Sequence, residues 1–151
     1  MFAKSSRRSR VHRPAYADYI VVKKFDSKGA VIGECRFFGL YTARVFSDDL
    51  NKVPLLREKV AKARDISGYD IRDHSGKEYE QLMSAFPRDE LFQVSAERLH
   101  EAINSALYAQ ERRKVSIYLR EDAFGRFVCA LLYVPRDIFN TDLRLKVQTL
   151  L

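Results

Sequence analysis

Two stretches between residues 115 and 134 alternate their side chains with the period of a β-strand. The first reads VSIYLRE (115–121) and the second reads RFVCALLYV (126–134), with the four turn residues DAFG between them. A period of two places alternate residues on opposite faces, and a short turn joins strands that run antiparallel. The pattern therefore predicts a β-hairpin, which is only marginally stable by itself and has to pack against other elements.

A second hairpin is predicted near the N-terminus. Residues 16–25 and 30–41 are rich in apolar, β-branched and aromatic side chains, and DSKG (26–29) separates them. Gly29 can take the positive φ that a tight hairpin turn requires. This hairpin also needs a larger sheet or helices to pack on.

Four helices are predicted from apolar residues that recur at intervals of three and four. The first three have recognisable boundary residues, which are Pro54 and Gly68, then Ser75 and Pro87, then the N-cap Ser95. Ser75 and Glu78 have the spacing of a capping box at the start of the second helix. The fourth helix is predicted to begin at Asn140 or Thr141. Its apolar face consists of Leu143, Val147, Leu150 and Leu151.

The segment FPRDELFQVS (86–95) separates the second and third helices. Pro87 ends the preceding helix because proline cannot continue it, and Ser95 is a good N-cap for the next helix. Between them, ELFQV (90–94) predicts a short strand, since its apolar residues do not continue a helical stripe. We therefore interpret the segment as a boundary between two folded units and not as an active-site loop.

From Glu90 onwards the predicted order is β-α-β-β-α, five of the six elements of a ferredoxin-like unit. The predicted fold class is α+β: an N-terminal β-hairpin plus helices, followed by this truncated unit. The predicted regions are a basic N-terminal segment (1–15), a β-hairpin and two-helix segment (16–86) and the incomplete unit (87–151). Because a final strand is missing and the last helix has an uncovered apolar face, we expect a fragment of a longer polypeptide.

The net charge of +7 is concentrated at the N-terminus. Five of the 27 basic side chains and no acidic ones lie within residues 1–13, which leaves 22 basic and 20 acidic side chains for the rest. A basic segment of this kind can bind phosphate electrostatically, so a stand-alone nucleic-acid-binding protein is the alternative function. The nearly neutral remainder favours a solvated segment instead, with no nucleic-acid partner.

The sequence contains none of the motifs that mark common catalytic or metal sites. Its six glycines match neither GxGxxG nor a P-loop, and both HExxH and GxSxG are absent. Cys35 and Cys129 lie far apart in strand-like runs, and the three histidines show no ligand spacing, so we predict no metal and no disulfide. No apolar run could span a membrane or act as a signal peptide, which predicts a cytoplasmic protein without a membrane partner.

The boundary segment is also the candidate binding surface. Arg88, Asp89 and Glu90 lie at the start of the predicted strand, and Arg126 lies in the hairpin expected beside it. We call these four residues the seam and predict that they form an interaction site. The alternative interpretation is a salt-bridged linker that only fixes the turn between helix and strand. No catalytic, cofactor-binding or metal-binding residue is predicted.

Six blocks of the sequence resemble, in the same order, the N-terminal region of the large bacterial NAD-specific glutamate dehydrogenases. They are SRVHRP (9–14), DYIVVKKFD (18–26), RFFGLYT (36–42), PLLREKV (54–60), FPRDELFQ (86–93) and DAFGRFVCALLYVPRDIFNT (122–141). The resemblance extends over residues 9–151. FPRDELFQ and the pattern FGRFV…YVPR…NT are together its most specific part.

In that family the catalytic domain lies far downstream, and the N-terminal region contains ACT-type modules, which are ferredoxin-like units that elsewhere bind amino acids or mediate assembly. The resemblance therefore implies an incomplete ACT-like unit over residues 87–151, within a non-catalytic regulatory and structural segment. It implies that the full-length enzyme converts glutamate to 2-oxoglutarate with NAD as cofactor, and that this segment binds no cofactor. The implied partners are the other domains and subunits of that enzyme, together with an amino-acid effector.

Overall fold

The computed structural model describes residues 1–11 and 14–150, and this part of the chain forms two antiparallel sheets and six α-helices. The strands are β1 (Phe2–Arg8), β2 (Tyr16–Phe25), β3 (Val31–Gly39), β4 (Ser116–Glu121) and β5 (Val128–Tyr133). The helices are α1 (Ala43–Ser47), α2 (Leu56–Ser67), α3 (His74–Ala85), α4 (Arg88–Gln93), α5 (Ala96–Glu111) and α6 (Thr141–Leu150), with a 3-10 turn at Leu50–Lys52. Three residues lie outside the described ranges, namely His12, Arg13 of the basic segment and Leu151 of the expected apolar helix face.

Both predicted hairpins are present, and the predicted α+β class is confirmed. β2 and β3 pair antiparallel around a turn in which Gly29 has φ 81°. β4 and β5 pair antiparallel with Ile117 opposite Leu132. The helices α2 to α5 separate the two sheets along the chain, and α6 follows β5. This arrangement of the last two strands and helix is consistent with an ACT-like unit.

The basic N-terminal segment is not simply a solvated tail, because its first residues form strand β1. β1 pairs antiparallel with β2, with Ala3 opposite Tyr19, and the first sheet therefore has three strands in the order β1-β2-β3. Ala3 is buried, and the ring of Phe2 stacks on Phe92 of α4 with 5.3 Å between the ring centroids. The contact between Phe2 and Phe92 attaches β1 to α4, so the basic side chains of this strand are held close to the helices.

The predicted strand at residues 90–94 is wrong, because Arg88–Gln93 form the short helix α4. Asp89 and Glu90 occupy its first turn, where the helix dipole favours acidic side chains. Leu91 and Phe92 are adjacent and both buried, whereas neighbours in a strand point to opposite faces. From Arg88 the order is therefore α-α-β-β-α and not the predicted β-α-β-β-α.

Most predicted helix boundaries are confirmed. α2 ends at Ser67 and is followed by its C-cap Gly68, which adopts the left-handed conformation with φ 65°. α3 ends at Ala85, two residues before Pro87. Ser95 caps α5 by accepting a hydrogen bond from the backbone N–H of Arg98. None of the helices in the described ranges is long and apolar enough to cross a membrane.

The start of α3 differs from the prediction. The helix begins at His74, after the N-cap Asp73, so the capping box between Ser75 and Glu78 does not form. The Glu78 side chain instead accepts a hydrogen bond from Gln110 of α5 at 3.1 Å. A contact between two helices has therefore replaced the local cap that the sequence spacing suggests.

The hydrophobic core lies among the helices α2, α3, α4 and α5. Its largest fully buried side chains are Leu56, Val60, Tyr79, Met83, Leu91, Leu99, Ile103 and Leu107. Each large apolar side chain that leaves water stabilises the fold by roughly 1.5–3 kcal/mol. The bundle therefore provides the base on which both sheets pack.

The second sheet turns its regular apolar face towards solvent. Ile117, Leu119 and Val128 are 51%, 55% and 60% exposed, whereas Arg120 on the other face of β4 is only 6% exposed. Tyr118, on the same face as Arg120, packs against the helical core. The more polar face of β4 is therefore the one that meets the bundle.

Candidate functional site

The seam residues are distributed over two elements. Arg88, Asp89 and Glu90 lie in α4, and Arg126 lies in the turn between β4 and β5. Their contacts form four sets, which link α4 to β4, α4 to β1, α4 to the loop after α1, and the β4–β5 turn to β1. The ion-pair partners of the seam are Lys4, Arg120 and Asp122, and Lys4 also pairs with Asp18. We call the seam together with these four residues the ionic junction.

A buried ion pair between Glu90 and Arg120 joins α4 to β4. Arg120 Nε lies 2.5 Å from Glu90 Oε2, and Arg120 Nη2 lies 2.8 Å from Oε1, so the pair is bidentate. The guanidinium also donates to the side chain of Gln93 and to the backbone carbonyl of Glu121. The hydrogen bond to Glu90 raises the pKa of Arg120, which keeps the guanidinium charged. These bonds compensate for the removal of both charges from water.

Cys129 lies directly opposite Arg120 in the β4–β5 pair. Burial raises the pKa of the Cys129 thiol to about 11, and the negative charge of Glu90 acts in the same direction. The thiolate is the nucleophilic form of cysteine, so a raised pKa makes the residue a poor nucleophile. Cys129 is therefore a packing residue beside the ionic junction.

Lys4 connects β1 to α4. Its Nζ lies 2.5 Å from Asp18 Oδ1 and 3.0 Å from Asp89 Oδ2. Burial raises the pKa of Asp18, although Lys4 and the backbone N–H of Tyr41 act in the opposite direction. Asp89 Oδ1 is buried and has no hydrogen-bond partner among the described residues. One lysine thus links two carboxylates from different elements.

Arg126 attaches the β4–β5 turn to β1. Its Nε lies 2.8 Å from Asp122 Oδ2, and its Nη2 donates to the backbone carbonyl of Lys4. Burial alone would raise the pKa of Asp122, but hydrogen bonds from the Arg126 side chain and the Phe124 backbone outweigh burial and lower it. The guanidinium also lies 4.9 Å from the centre of the Phe124 ring, in a cation–π contact.

Arg88 ties α4 to the loop that follows α1. Its Nη2 donates to the backbone carbonyl of Asp48 at 3.2 Å. Burial lowers the pKa of Arg88, and its Nη1 is buried without a hydrogen-bond partner in the part of the chain that the structure describes. Arg88 is therefore the seam residue that is least well compensated for leaving water.

A cavity of about 620 Å³ opens between β1, α4 and the β4–β5 turn. We call it the junction cavity; its lining comprises Lys4, Ser5, Ser6, Ala15, Tyr16, Asp89, Arg126 and Phe127. The lining combines one carboxylate and two cations with serine hydroxyls and aromatic rings. A mixture of apolar walls with a few charged groups is typical of small-molecule sites. Two of the four seam residues, Asp89 and Arg126, belong to it.

The ionic junction has the chemistry of a binding or packing site. The carboxylates of Asp18, Asp89, Glu90 and Asp122 are each paired with a cation. Such pairs hold elements in place, whereas general acid–base catalysis needs a group poised to exchange its proton with a substrate. Within residues 1–11 and 14–150, no group of three or more His, Cys, Asp or Glu side chains could hold a metal ion.

The partners of the seam are the residues that sequence reasoning missed. Lys4 belongs to the segment predicted to be solvated, and its contacts with Asp18 and Asp89 depend on tertiary structure. Arg120 was missed because both faces of the second hairpin carry apolar side chains: Cys129 lies opposite Arg120, and Ala130 lies opposite the exposed Leu119. The sequence pattern does not show which of the two faces is turned inward.

The fold and the ionic junction define an α+β chain in which a helical bundle is joined to an ACT-like unit. Two sequence profiles of the glutamate dehydrogenase family match this chain. One describes helical motif 1 and covers residues 53–112, and the other describes the ACT2 domain and covers residues 116–151. Glu90 lies in the first matched region and Arg120 in the second, so their ion pair connects the two.

Curated relatives extend the match to almost the whole chain. It is 46% identical to the NAD-specific glutamate dehydrogenase of Pseudomonas aeruginosa and 45% identical to that of Halomonas elongata, each over 99% of this chain and 9% of the relative. The enzyme of Mycobacterium tuberculosis is 30% identical over 91% of this chain and 8% of its own length. The chain belongs to the family of NAD-specific glutamate dehydrogenases, as the resemblance predicted. It spans about a tenth of the length of these relatives, and no solved structure matches it.

Proposed function

We propose that this chain is a non-catalytic regulatory and structural segment of a large cytoplasmic glutamate dehydrogenase. Other parts of that enzyme would convert glutamate to 2-oxoglutarate with NAD, and this segment would hold no cofactor. The observation that supports the proposal most is the buried Glu90–Arg120 pair, which connects the helical motif to the ACT2 region. A bidentate buried pair fixes the relative position of the two elements that carry it.

The exposed face of the second sheet supports a role in packing. Ile117, Leu119 and Val128 are each more than half exposed and lie on one face of β4 and β5. A contiguous apolar surface of this kind marks a contact with another protein surface. In our proposal, other domains or subunits of the enzyme cover this face.

The junction cavity supports a role in sensing an amino acid. Asp89 can accept hydrogen bonds from an ammonium group, and Arg126 or Lys4 can donate to a carboxylate. An α-amino acid carries both groups. A ligand that contacts α4 and the β4–β5 turn together would stabilise the ionic junction, and this coupling would transmit the presence of the amino acid to the rest of the enzyme.

Two measurements on the 151-residue chain test this function. The first is NADH formation with glutamate and NAD, for which we expect no turnover; turnover that survives purification would overturn the non-catalytic assignment. The second is thermal unfolding with a panel of amino acids, where we expect one of them to raise the midpoint. Asp89→Asn should abolish that shift, and the exposed control Asp65→Asn should retain it. If no amino acid shifts the midpoint, the sensing role is excluded and the packing role stands alone.

A further inference from the structure

We propose that a groove along the basic strand β1 binds a free nucleotide through both its phosphates and its base. Two neighbouring cavities, of about 530 Å³ and about 460 Å³, form this groove, and Arg7 and Phe38 line both of them. We call it the β1 groove. The cations in its lining are Lys4, Arg7, Arg8, Arg10 and Arg126. Its volume suits a nucleotide better than a bare phosphate ion.

The charges of the β1 groove select an anion. Its described lining contains five cations and no carboxylate, unlike the junction cavity, which includes Asp89. Lys4 and Arg126 are already paired with carboxylates outside this lining, so the uncompensated charge comes from the three arginines of the N-terminal segment. Arg7, Arg8 and Arg10 are exposed and form no ion pair with any residue in the described ranges. Their guanidinium groups are therefore available for bidentate hydrogen bonds to phosphate oxygens, the geometry for which arginine is best suited.

The aromatic residues of the β1 groove provide a surface on which a base can stack. Phe38 is 63% exposed and lies directly opposite Tyr19 in the β2–β3 pair, so both rings lie on the same face of the sheet. Phe124, 52% exposed, lines the same cavity from the β4–β5 turn. Exposed rings flanked by cations are the combination that binds nucleotides, because the base stacks while the cations hold the phosphate.

The backbone of β1 adds hydrogen-bonding groups at this point. The pairing of β1 with β2 shifts register between Lys4 and Arg8, so the intervening residues leave the regular ladder. Ser5 and Ser6 line the same cavity as Arg7 and Arg126, and the Ser5 hydroxyl accepts a hydrogen bond from the backbone N–H of Arg7. Serine hydroxyls can donate to phosphate oxygens, and they complement the charges without adding an acid.

The observations favour a free nucleotide over a nucleic-acid strand. Strand binding uses a long basic surface that follows many phosphates, whereas the cations here are gathered in one groove. Beyond residue 13 the chain carries 22 basic and 20 acidic side chains, so the excess of positive charge is concentrated in the N-terminal segment that contains β1. A ligand with one or two phosphates and one base uses all the features of the groove.

The test measures binding by isothermal titration calorimetry at low salt with the 151-residue chain. The probes are ADP, adenosine, pyrophosphate and a short single-stranded oligonucleotide. We expect ADP to bind more tightly than each of the other three. Phe38→Leu keeps an apolar side chain but removes the aromatic face, and it should weaken ADP binding by at least about fivefold without changing pyrophosphate binding. The Arg7→Ala, Arg10→Ala double variant should weaken both.

Matched controls come from the same sheet. Phe25→Leu replaces an aromatic ring that is 59% exposed, and Lys23→Ala removes an exposed cation; neither residue lines the groove. Both variants should bind ADP like the unchanged chain. Circular dichroism of each variant checks that the fold is retained, which we expect for exposed side chains.

Three outcomes would overturn the proposal. If ADP does not bind at all, the proposed nucleotide site does not exist. Pyrophosphate could bind as tightly as ADP, and Phe38→Leu could leave ADP binding unchanged. The groove would then bind anions in general and would not recognise the base. An oligonucleotide that binds more tightly than ADP, with a steep dependence on salt, would identify the ligand as nucleic acid. Because the β1 groove and the junction cavity share Lys4, Ser5, Ser6 and Arg126, these titrations are made without amino acids. Phe38 and Arg10 do not line the junction cavity, so the loss of ADP binding in their variants is separate from any amino-acid binding there.

Discussion

The carboxylate of Glu90 and the guanidinium of Arg120 form a bidentate ion pair across the boundary between the helical motif and the ACT2 region. Both side chains are more than nine-tenths buried, and the closest N–O distance is 2.5 Å. The attraction between two such charges compensates for their desolvation only while both are present. The Glu90–Arg120 pair is therefore tolerated in the interior while both charges are present, and removing either side chain would destabilise the fold.

We expect Glu90→Ala to lower the free energy of unfolding by about 3–5 kcal/mol, because it leaves the Arg120 guanidinium buried without its partner. Urea unfolding followed by circular dichroism measures this loss. The double variant Glu90→Leu, Arg120→Met should cost less than Glu90→Ala, since no charge then remains buried. As a control, Lys62→Ala removes an exposed pair with Glu97 and should cost less than about 1 kcal/mol. Equal losses from Glu90→Ala and Lys62→Ala would contradict the interpretation.

Lys59 of α2 holds the C-terminal end of α4. Its Nζ donates to the carbonyl of Leu91 at 2.6 Å and to the carbonyl of Phe92 at 3.1 Å. Lys59→Met retains the aliphatic stem but removes the donor, so we expect a loss of about 1–3 kcal/mol in the free energy of unfolding. Lys62→Met, on the exposed side of the same helix, is the matched control. If both variants unfold at the same urea concentration, the contacts of Lys59 do not stabilise α4.

Gly76 allows α3 to pack closely against the preceding loop. A Cβ at this position would lie 2.0 Å from the carbonyl oxygen of Asp70 and 2.6 Å from its carbonyl carbon. We expect Gly76→Ala to destabilise the chain by about 1–3 kcal/mol through this overlap, although alanine is the better helix former. At Gly33 a Cβ would have no neighbouring atom within 4 Å, so Gly33→Ala is the control. A thermal midpoint that rises with Gly76→Ala would refute the overlap.

The elements with strong local signals could be predicted from the sequence. Gly68, Pro87 and Ser95 end or begin helices through their own backbone conformation and local hydrogen bonds. The helix boundaries at these residues can therefore be predicted from the sequence. α4 could not be predicted, because a helix of six residues is too short to be stable by itself. Burial of Leu91 and Phe92 and the contact with Lys59 stabilise it, and these are tertiary interactions.

The candidate site was predictable only in part. Asp89, Glu90 and Arg126 are conspicuous charges at a predicted boundary, and the structure gives each of them an ion-pair partner. The partners Lys4 and Arg120 come from strands whose burial depends on how the sheets pack. A sequence pattern indicates the type and the apolar face of a single helix or strand. An ion pair between two elements depends on how those elements are placed relative to each other, which the pattern does not give.

The thiol of Cys129 should react slowly with alkylating reagents in the folded chain. Burial and the nearby Glu90 carboxylate raise its pKa from an ordinary value of 9.0 to about 11. A difference of this size makes the thiolate fraction near neutral pH about 100-fold smaller than that of an ordinary thiol. Iodoacetamide labelling followed by mass spectrometry should therefore show slow modification in the folded chain and ordinary modification in urea.

The same pKa makes stability depend on pH in a defined direction. The folded pKa of Cys129 lies above the unfolded value, so the folded state binds the proton more tightly. Its contribution to stability is fully present below about pH 9 and is lost as the pH rises through about 11. Cys129→Ser should flatten this alkaline loss in urea unfolding. If Cys129→Ser and the unchanged chain lose stability in parallel between these pH values, other groups cause the loss.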